Sequence, residues 1–318
     1  MAEDNNAPEP ATPTELLVGK PPPPAVPGKR ALVLGGGGAA GNAWEIGVIA
    51  GLFGAGLDLT EADLIIGTSA GSTVAAQITS TPPPELLAAI LAEAPPRTGP
   101  AGPDNGRPRG RSVADLMDRT SRIIAAAADP ADMRRRMGAA ALEMDAASDG
   151  AWSARWRATV AARLPTLRWP KRTVLITAVD AGTGEPVVFD RHSAVDLLDA
   201  VAASTSASLP YRIADKRYID GGYRRNENAD LAAGCGRVLV LSPFGGSTRH
   251  PLEWGMQLAV QVDELRSSGT SIETVFPDAH TLAVFGSNMM DPSTRPPAAR
   301  AGRGQGRALA EQLTRFWR

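Results

Sequence analysis

Apolar positions along the chain fall into two rhythms. Short unbroken apolar runs read as buried strands. They occupy residues 30–34, 63–66, 173–179 and 237–241. Residues 185–189 read as a strand pairing back on 173–179 across the turn Asp180-Ala181-Gly182-Thr183-Gly184, and residues 281–285 also read as strand-like. Between these runs lie stretches that read as helices: 42–53, 70–79, 85–94, 112–164, 195–204, and most of the chain beyond Pro251 up to an amphipathic segment at 303–318. The order strand, glycine loop, helix, strand, tight turn, helix predicts an α/β fold. Its central sheet is mostly parallel and its crossovers are right-handed.

Two stretches break the pattern. Residues 1–29 are rich in Pro, Ala and acidic groups and too poor in apolar area to offset ordering entropy, so a disordered tail ending in a polyproline spacer is expected. Residues 95–111 are rich in Gly, Pro and Arg, lack periodicity and read as a mobile loop. Ser112 with Asp115 fits a capping box for the helices that follow. The organisation expected is therefore the tail, then one catalytic domain over 30–318. Within it lie core motifs at 31–233, a helical Arg-rich insertion at about 95–171, and a helical extension at 251–318.

Charge and composition narrow the function. A net charge of −1 gives nucleic-acid binding no global support. One cysteine, Cys235, rules out an internal disulfide and a cysteine metal cluster. No secretory leader and no apolar stretch of membrane-spanning length is visible, so a cytoplasmic protein is expected. The insertion carries fifteen Lys/Arg against eight Asp/Glu between residues 97 and 172. Trp152, Trp156 and Trp169 sit there among Arg155, Arg157, Arg163 and Arg168. They could meet anionic lipid headgroups at the membrane periphery. Alternatively the indoles pack on the domain while the guanidiniums are solvated, which is the favoured reading.

The candidate chemistry centres on Gly67-Thr68-Ser69-Ala70-Gly71. This G-x-S-x-G falls between a predicted strand and a predicted helix, where a sharp turn exposes the serine hydroxyl. Gly67 and Gly71 fit a place where strand and helix backbones come too close for side chains. Serine needs a base. His192, His250 and His280 have no triad-like setting. Asp220 ends an apolar strand and precedes Gly221 and Gly222, so desolvation could raise its pKa and let it take the proton directly. Gly35 to Gly38 offer unhindered N–H groups for an oxyanion. The same loop, as Gly36-x-Gly38-x-x-Gly41, also fits a dinucleotide fingerprint. That fold wants an acid at the end of its second strand, but Asp58 and Glu61 precede the strand and 64–66 runs into Gly67-Thr68-Ser69.

Taken together, GGGGAAG (Gly35 to Gly41), GTSAG (Gly67 to Gly71) and DGG (Asp220 to Gly222), in that order, resemble the patatin-like phospholipases over about residues 31–233. The approach through Ala202-Ala203-Ser204, Leu209-Pro210 and Tyr218-Ile219 is similar too. The resemblance implies a three-layer α/β/α fold and lipid acyl hydrolysis, as a phospholipase A-like enzyme or esterase, by a Ser–Asp dyad with no histidine base. By motif Ser69 would be nucleophile, Asp220 base, and Gly36, Gly37 and Gly38 the oxyanion hole. The expected partner is a lipid or ester, with no metal and no cofactor. The chain departs from the family's pattern at Ala40, where a basic residue is usual. Besides the hydrolase, two readings stand open: a non-catalytic binding protein on the same fold, and an NAD(P)-binding oxidoreductase.

Overall fold

A computed structural model describes residues 23–93 and 113–318. The chain opens with β1 (Val26–Leu34), α1 (Gly38–Gly54), β2 (Leu64–Gly67), α2 (Ala70–Ile78) and α3 (Pro83–Leu91). The insertion contributes α4 (Val113–Ala126), α5 (Pro130–Ala146) and α6 (Trp152–Ala161). Then come β3 (Thr173–Asp180), β4 (Pro186–Phe189), α7 (Leu197–Ser204), β5 (Tyr211–Ile213), β6 (Lys216–Asp220) and β7 (Cys235–Leu241). The chain closes with α8 (Leu258–Ser267), β8 (Ser271–Val275), α9 (Ala279–Phe285) and α10 (Arg295–Trp317).

All eight strands join one sheet in the order β5-β6-β3-β2-β1-β7-β8, with β4 also paired to β3. The pairs β1/β2, β1/β7, β2/β3 and β7/β8 are parallel. Strands β4 and β6 run antiparallel to β3, and β5 antiparallel to β6. The sheet is thus mostly parallel with an antiparallel margin.

The apolar runs are unbroken because the sheet is covered on both faces. Along β1, Leu32 and Leu34 pack into a core with α1, α2, α3, α7 and α10, while Ala31 and Val33 pack on the other face against Leu258, Val262 and Leu265 of α8. The insertion docks through its own cluster, in which Ile124 of α4 and Met133, Met137 and Ala141 of α5 cover Val179 and Ile219. Three layers result.

Several expectations need correction. Residues 26–29, assigned to the tail, belong to β1, because Val26 pairs with Cys235 and its N–H donates to the Gly234 carbonyl at 3.0 Å. Helix α1 starts at Gly38, inside the glycine loop. Residues 281–285 are helical: Asp278 caps the turn by accepting the Thr281 N–H at 2.8 Å. The remainder of the tail up to residue 22, the loop at 95–111 and Ser112 lie outside the described residues. The tryptophans of the insertion face the domain. Trp156 and Trp169 donate their indole N–H groups to the carbonyls of Ala202 (3.1 Å) and Val195 (2.7 Å), and Trp152 stacks on Trp156. Arg155 and Arg157 pair with Asp149 and Asp199.

Candidate active site

Parallel strands deliver their carboxyl ends to one edge, and the loops there carry the chemistry. Ser69 lies between β2 and α2 with φ 51° and ψ −118°. For a residue with a side chain this conformation costs on the order of 1–3 kcal/mol and persists only where its surroundings enforce it. Here the Ser69 N–H donates to Ser204 Oγ at 2.9 Å, and the Ser69 carbonyl accepts from the Ser72 hydroxyl at 2.6 Å. The Thr68 N–H is held by the Leu34 carbonyl at 3.0 Å. The two flanking glycines answer to close approach. A Cβ on Gly67 would fall 2.6 Å from Ser72 Cα, and one on Gly71 only 2.1 Å from the Leu34 carbonyl oxygen.

Asp220 reaches the same place from the far side of β3. It ends β6 opposite Ala178 of β3, two residues past Ile176, the partner of Gly67 in β2. The Ser69 hydroxyl donates to Asp220 Oδ2 at 2.6 Å, and the Gly222 N–H donates to Oδ1 at 2.8 Å. Asp220 is 7% exposed. Burial pushes its pKa up to about 6, although the hydrogen bonds from Ser69 and Gly222 pull the other way. Gly221 packs on β3, where a Cβ would fall 2.4 Å from the Thr177 carbonyl oxygen.

The glycine loop lies beside the serine: a Cβ on Gly36 would be 3.4 Å from Ser69 Cβ and 2.7 Å from Asn226 Oδ1. The Gly36 N–H is already given to the Asn226 carbonyl at 3.1 Å. Gly37 abuts Pro243, and Gly38, with φ +61°, abuts Met289 and Met290. Among the described residues the N–H groups of Gly37 and Gly38 have no backbone acceptor. Gly41 closes the first turn of α1 by donating to the Gly37 carbonyl at 2.9 Å. Ala40 is fully buried and donates its N–H to the Met289 carbonyl at 3.0 Å.

Several residues that sequence reasoning missed hold these parts together. Asn228, left-handed at φ 54°, donates its amide to Thr68 Oγ1 (3.0 Å) and the Arg225 carbonyl (2.6 Å). Thr68 and Thr177 share a hydroxyl contact at 3.0 Å, tying β2 to β3. Beneath the loop lie two buried carboxyls. Glu227 accepts from Ser242 Oγ (2.7 Å) and Asn226 Nδ2 (2.9 Å). Glu45 of α1 has neither oxygen hydrogen-bonded; the nearby Gly35 N–H is committed to Leu241 at 3.0 Å. Burial raises both pKa values, that of Glu45 strongly, with Glu227 adding repulsion. The only advance signal was an acid inside an otherwise apolar helix and another in the polar run after Asp220.

No histidine among the described residues hydrogen-bonds Ser69 or Asp220. His250 shares a hydrogen bond with Thr248, and burial lowers its pKa to about 4, so its ring is neutral at pH 7. His192 and His280 are exposed.

Fold and site together define an α/β protein in which a glycine loop, a hinge serine and a buried aspartate converge at the carboxyl edge of a mostly parallel sheet. Residues 32–233 match the patatin-like phospholipase family. The chain belongs to that family of lipid hydrolases. In structure it is similar to VipD from Legionella pneumophila, at 14% identity and TM-score 0.42, covering 91% of this chain and 68% of that one. It is also similar to the type III effector protein ExoU, at 16% identity and TM-score 0.36. There 91% of this chain is covered but only 54% of ExoU, so this chain spans about half of that protein. No curated protein matches the chain significantly in sequence.

Proposed function

We propose that this protein is a serine-dependent lipid acyl hydrolase, phospholipase A-like or esterase, that works through a Ser69–Asp220 dyad. The observation that carries the reading is the 2.6 Å hydrogen bond from Ser69 Oγ to Asp220 Oδ2. Ser69 Oγ attacks the ester carbonyl while its proton passes to Asp220 Oδ2. Oδ1 stays tied to the Gly222 N–H, so the carboxylate keeps its orientation. Charge develops on the carbonyl oxygen, and the N–H groups of Gly37 and Gly38 at the start of α1 are the donors suited to receive it. The Gly36 N–H, spent on Asn226, serves to fix the loop instead. As the tetrahedral intermediate collapses, the leaving alcohol takes the proton from Asp220, and an acyl-Ser69 remains. Water then attacks that ester, Asp220 accepts its proton, and Ser69 Oγ recovers it as the fatty acid departs. A pKa of about 6 leaves Asp220 mostly ionised at neutral pH and still a better base than an exposed carboxylate.

Labelling with a fluorophosphonate, followed by peptide mapping, tests the reading. Modification is expected on Ser69 alone, with hydrolysis of a p-nitrophenyl ester by the wild type. Ser69→Ala should lose both while keeping its far-UV circular dichroism. A folded wild type that neither labels nor turns over ester would point to a binding protein on this fold.

A further inference from the structure

Among the described residues the large apolar side chains left exposed are unevenly placed. Val26 and Leu167 lie where β1 begins and ahead of β3, at the amino edge of the sheet. The other six, Met117, Phe244, Leu252, Phe276, Leu282 and Met290, lie in segments tied by the contacts below to the glycine loop or to the elements around Asp220. The connections are physical. Phe244 follows Pro243, which packs on Gly37, and Phe276 leaves the end of β8 and packs near Gly246. Met290 touches Gly38, and α9, carrying Leu282, joins Phe276 to it. On the opposite side, Arg249 bonds the Met117 carbonyl at 2.7 Å. Leu252 opens a turn whose Trp254 packs on the cluster holding Ile219 and Tyr223. Exposed apolar groups gathered at one end of a molecule mark an interaction surface.

We infer that the part of this rim formed by Phe244, Phe276, Leu282 and Met290 is a membrane-docking surface that dips into a neutral, zwitterionic lipid layer and sets the mouth of the site at the headgroup boundary. The inference rests on the hydrolase reading for its purpose, since a lipid ester must leave its bilayer to reach Ser69. Charge selects the occupant. On that part residues 276–291 hold Asp278, Asp291 and His280 but no Lys or Arg, and residues 243–246 hold no charge, whereas the Met117 side carries Arg119, Arg122 and Arg249 and lies outside it. A segment of that composition has no attraction for anionic headgroups, which basic surfaces supply. It is driven by burial of Phe, Leu and Met side chains instead. The side chains stand on separate loops and a short helix, not on one long flat face, so they suit a deformable lipid layer. The arginines of α6 lie outside the rim and are engaged with acids of the domain at Arg155 and Arg157.

Sedimentation with phosphatidylcholine vesicles tests the surface without turnover when Ser69→Ala protein is used. That protein should bind, and binding should persist in about 0.5 M NaCl, where surface charge is screened. Adding Phe244→Ser and Leu282→Ser should weaken the partition coefficient at least about tenfold. Phe244→Leu with Leu282→Met should restore most of it. In the otherwise wild-type enzyme the same Ser pair should leave hydrolysis of a water-soluble p-nitrophenyl ester unchanged and cut hydrolysis of vesicle lipid about tenfold. Absence of binding by the Ser69→Ala protein, or equal binding by the Ser pair, overturns the inference. So does binding confined to anionic vesicles and abolished by salt, or a dimer in gel filtration that the Ser pair dissociates. Ester turnover absent from the wild type, with vesicle binding intact, would overturn the hydrolase reading and leave the surface standing.

Discussion

At the scale of single residues, Asp220 couples stability to the chemistry proposed for it. Its carboxyl has an ordinary value of 3.8 when exposed and about 6 in the fold. A raised pKa means that the native state holds a proton the unfolded state has released. Stability from this group is therefore full below about pH 4, falls as pH rises through about 6, and is flat beyond. The total loss is about 3 kcal/mol. Asp220→Asn keeps the shape and can still accept from the Gly222 N–H through its amide oxygen, but its NH2 must donate to Ser69 Oγ, reversing that bond, and it cannot ionise. Thermal denaturation should show it more stable than wild type at pH 7.5 and no more stable at pH 4. Its kcat should be at least about a hundredfold lower, the loss expected for a missing general base. In the wild type, kcat/KM should rise with pH through an apparent pKa of about 6. Glu45, whose oxygens are buried without hydrogen bonds, should follow the same sign. Glu45→Gln should gain in melting temperature over wild type as pH climbs above about 4.5. Ser69 and Asp220 were legible because a glycine-flanked hinge and a glycine-following strand end are local signals. Glu45, Asn226, Glu227 and Asn228 were not, since the groups around them lie on strands and loops that only the tertiary fold brings near.

At the scale of elements, the pair α1 and α10 shows what sequence rhythm can and cannot tell. Both read as helices, but nothing marked them as partners. They run in the same direction with backbones almost touching: a Cβ on Gly47 would fall 2.3 Å from the Ala299 carbonyl oxygen, and one on Gly306 would fall 2.3 Å from that of Val48. Gly304, on the same helix, faces open space. Two substitutions separate these settings. Gly306→Leu forces the helices apart and should destabilise by about 1–3 kcal/mol or more, while Gly304→Ala should stabilise by about 0.5–1 kcal/mol through helix propensity. Urea titration with unchanged slope would measure both; equal effects would mean the close packing carries no energy. Helix α9 was misread for a different reason. Its five-residue apolar run fits a buried strand as well as one and a half helical turns, and the decision falls to Asp278, whose side chain caps the first turn.

At the scale of the whole molecule, the stretch matching the family ends at residue 233, but the folding unit does not. Strand β7 pairs with β1 in the middle of the sheet, β8 extends it, and α10 buries Ala298, Ala299, Leu313 and Trp317 in the core that holds Trp44. We therefore propose residues 26–317 as one cooperative unit, and loss of tryptophan fluorescence and of far-UV ellipticity should coincide on denaturation. Removing residues 295–318 uncovers Trp44, Gly47, Val48 and Gly51 of α1 and the core beneath them, so that truncation should give insoluble protein. The pairing of α1 with α10 also bears on time. A growing chain that has already delivered Ser69 and Asp220 still lacks β8 and the helix that seats α1, and the glycine loop opens directly into α1. Under the proposed mechanism the parts of the dyad are made early and assembled late, so a half-translated chain should hydrolyse no ester.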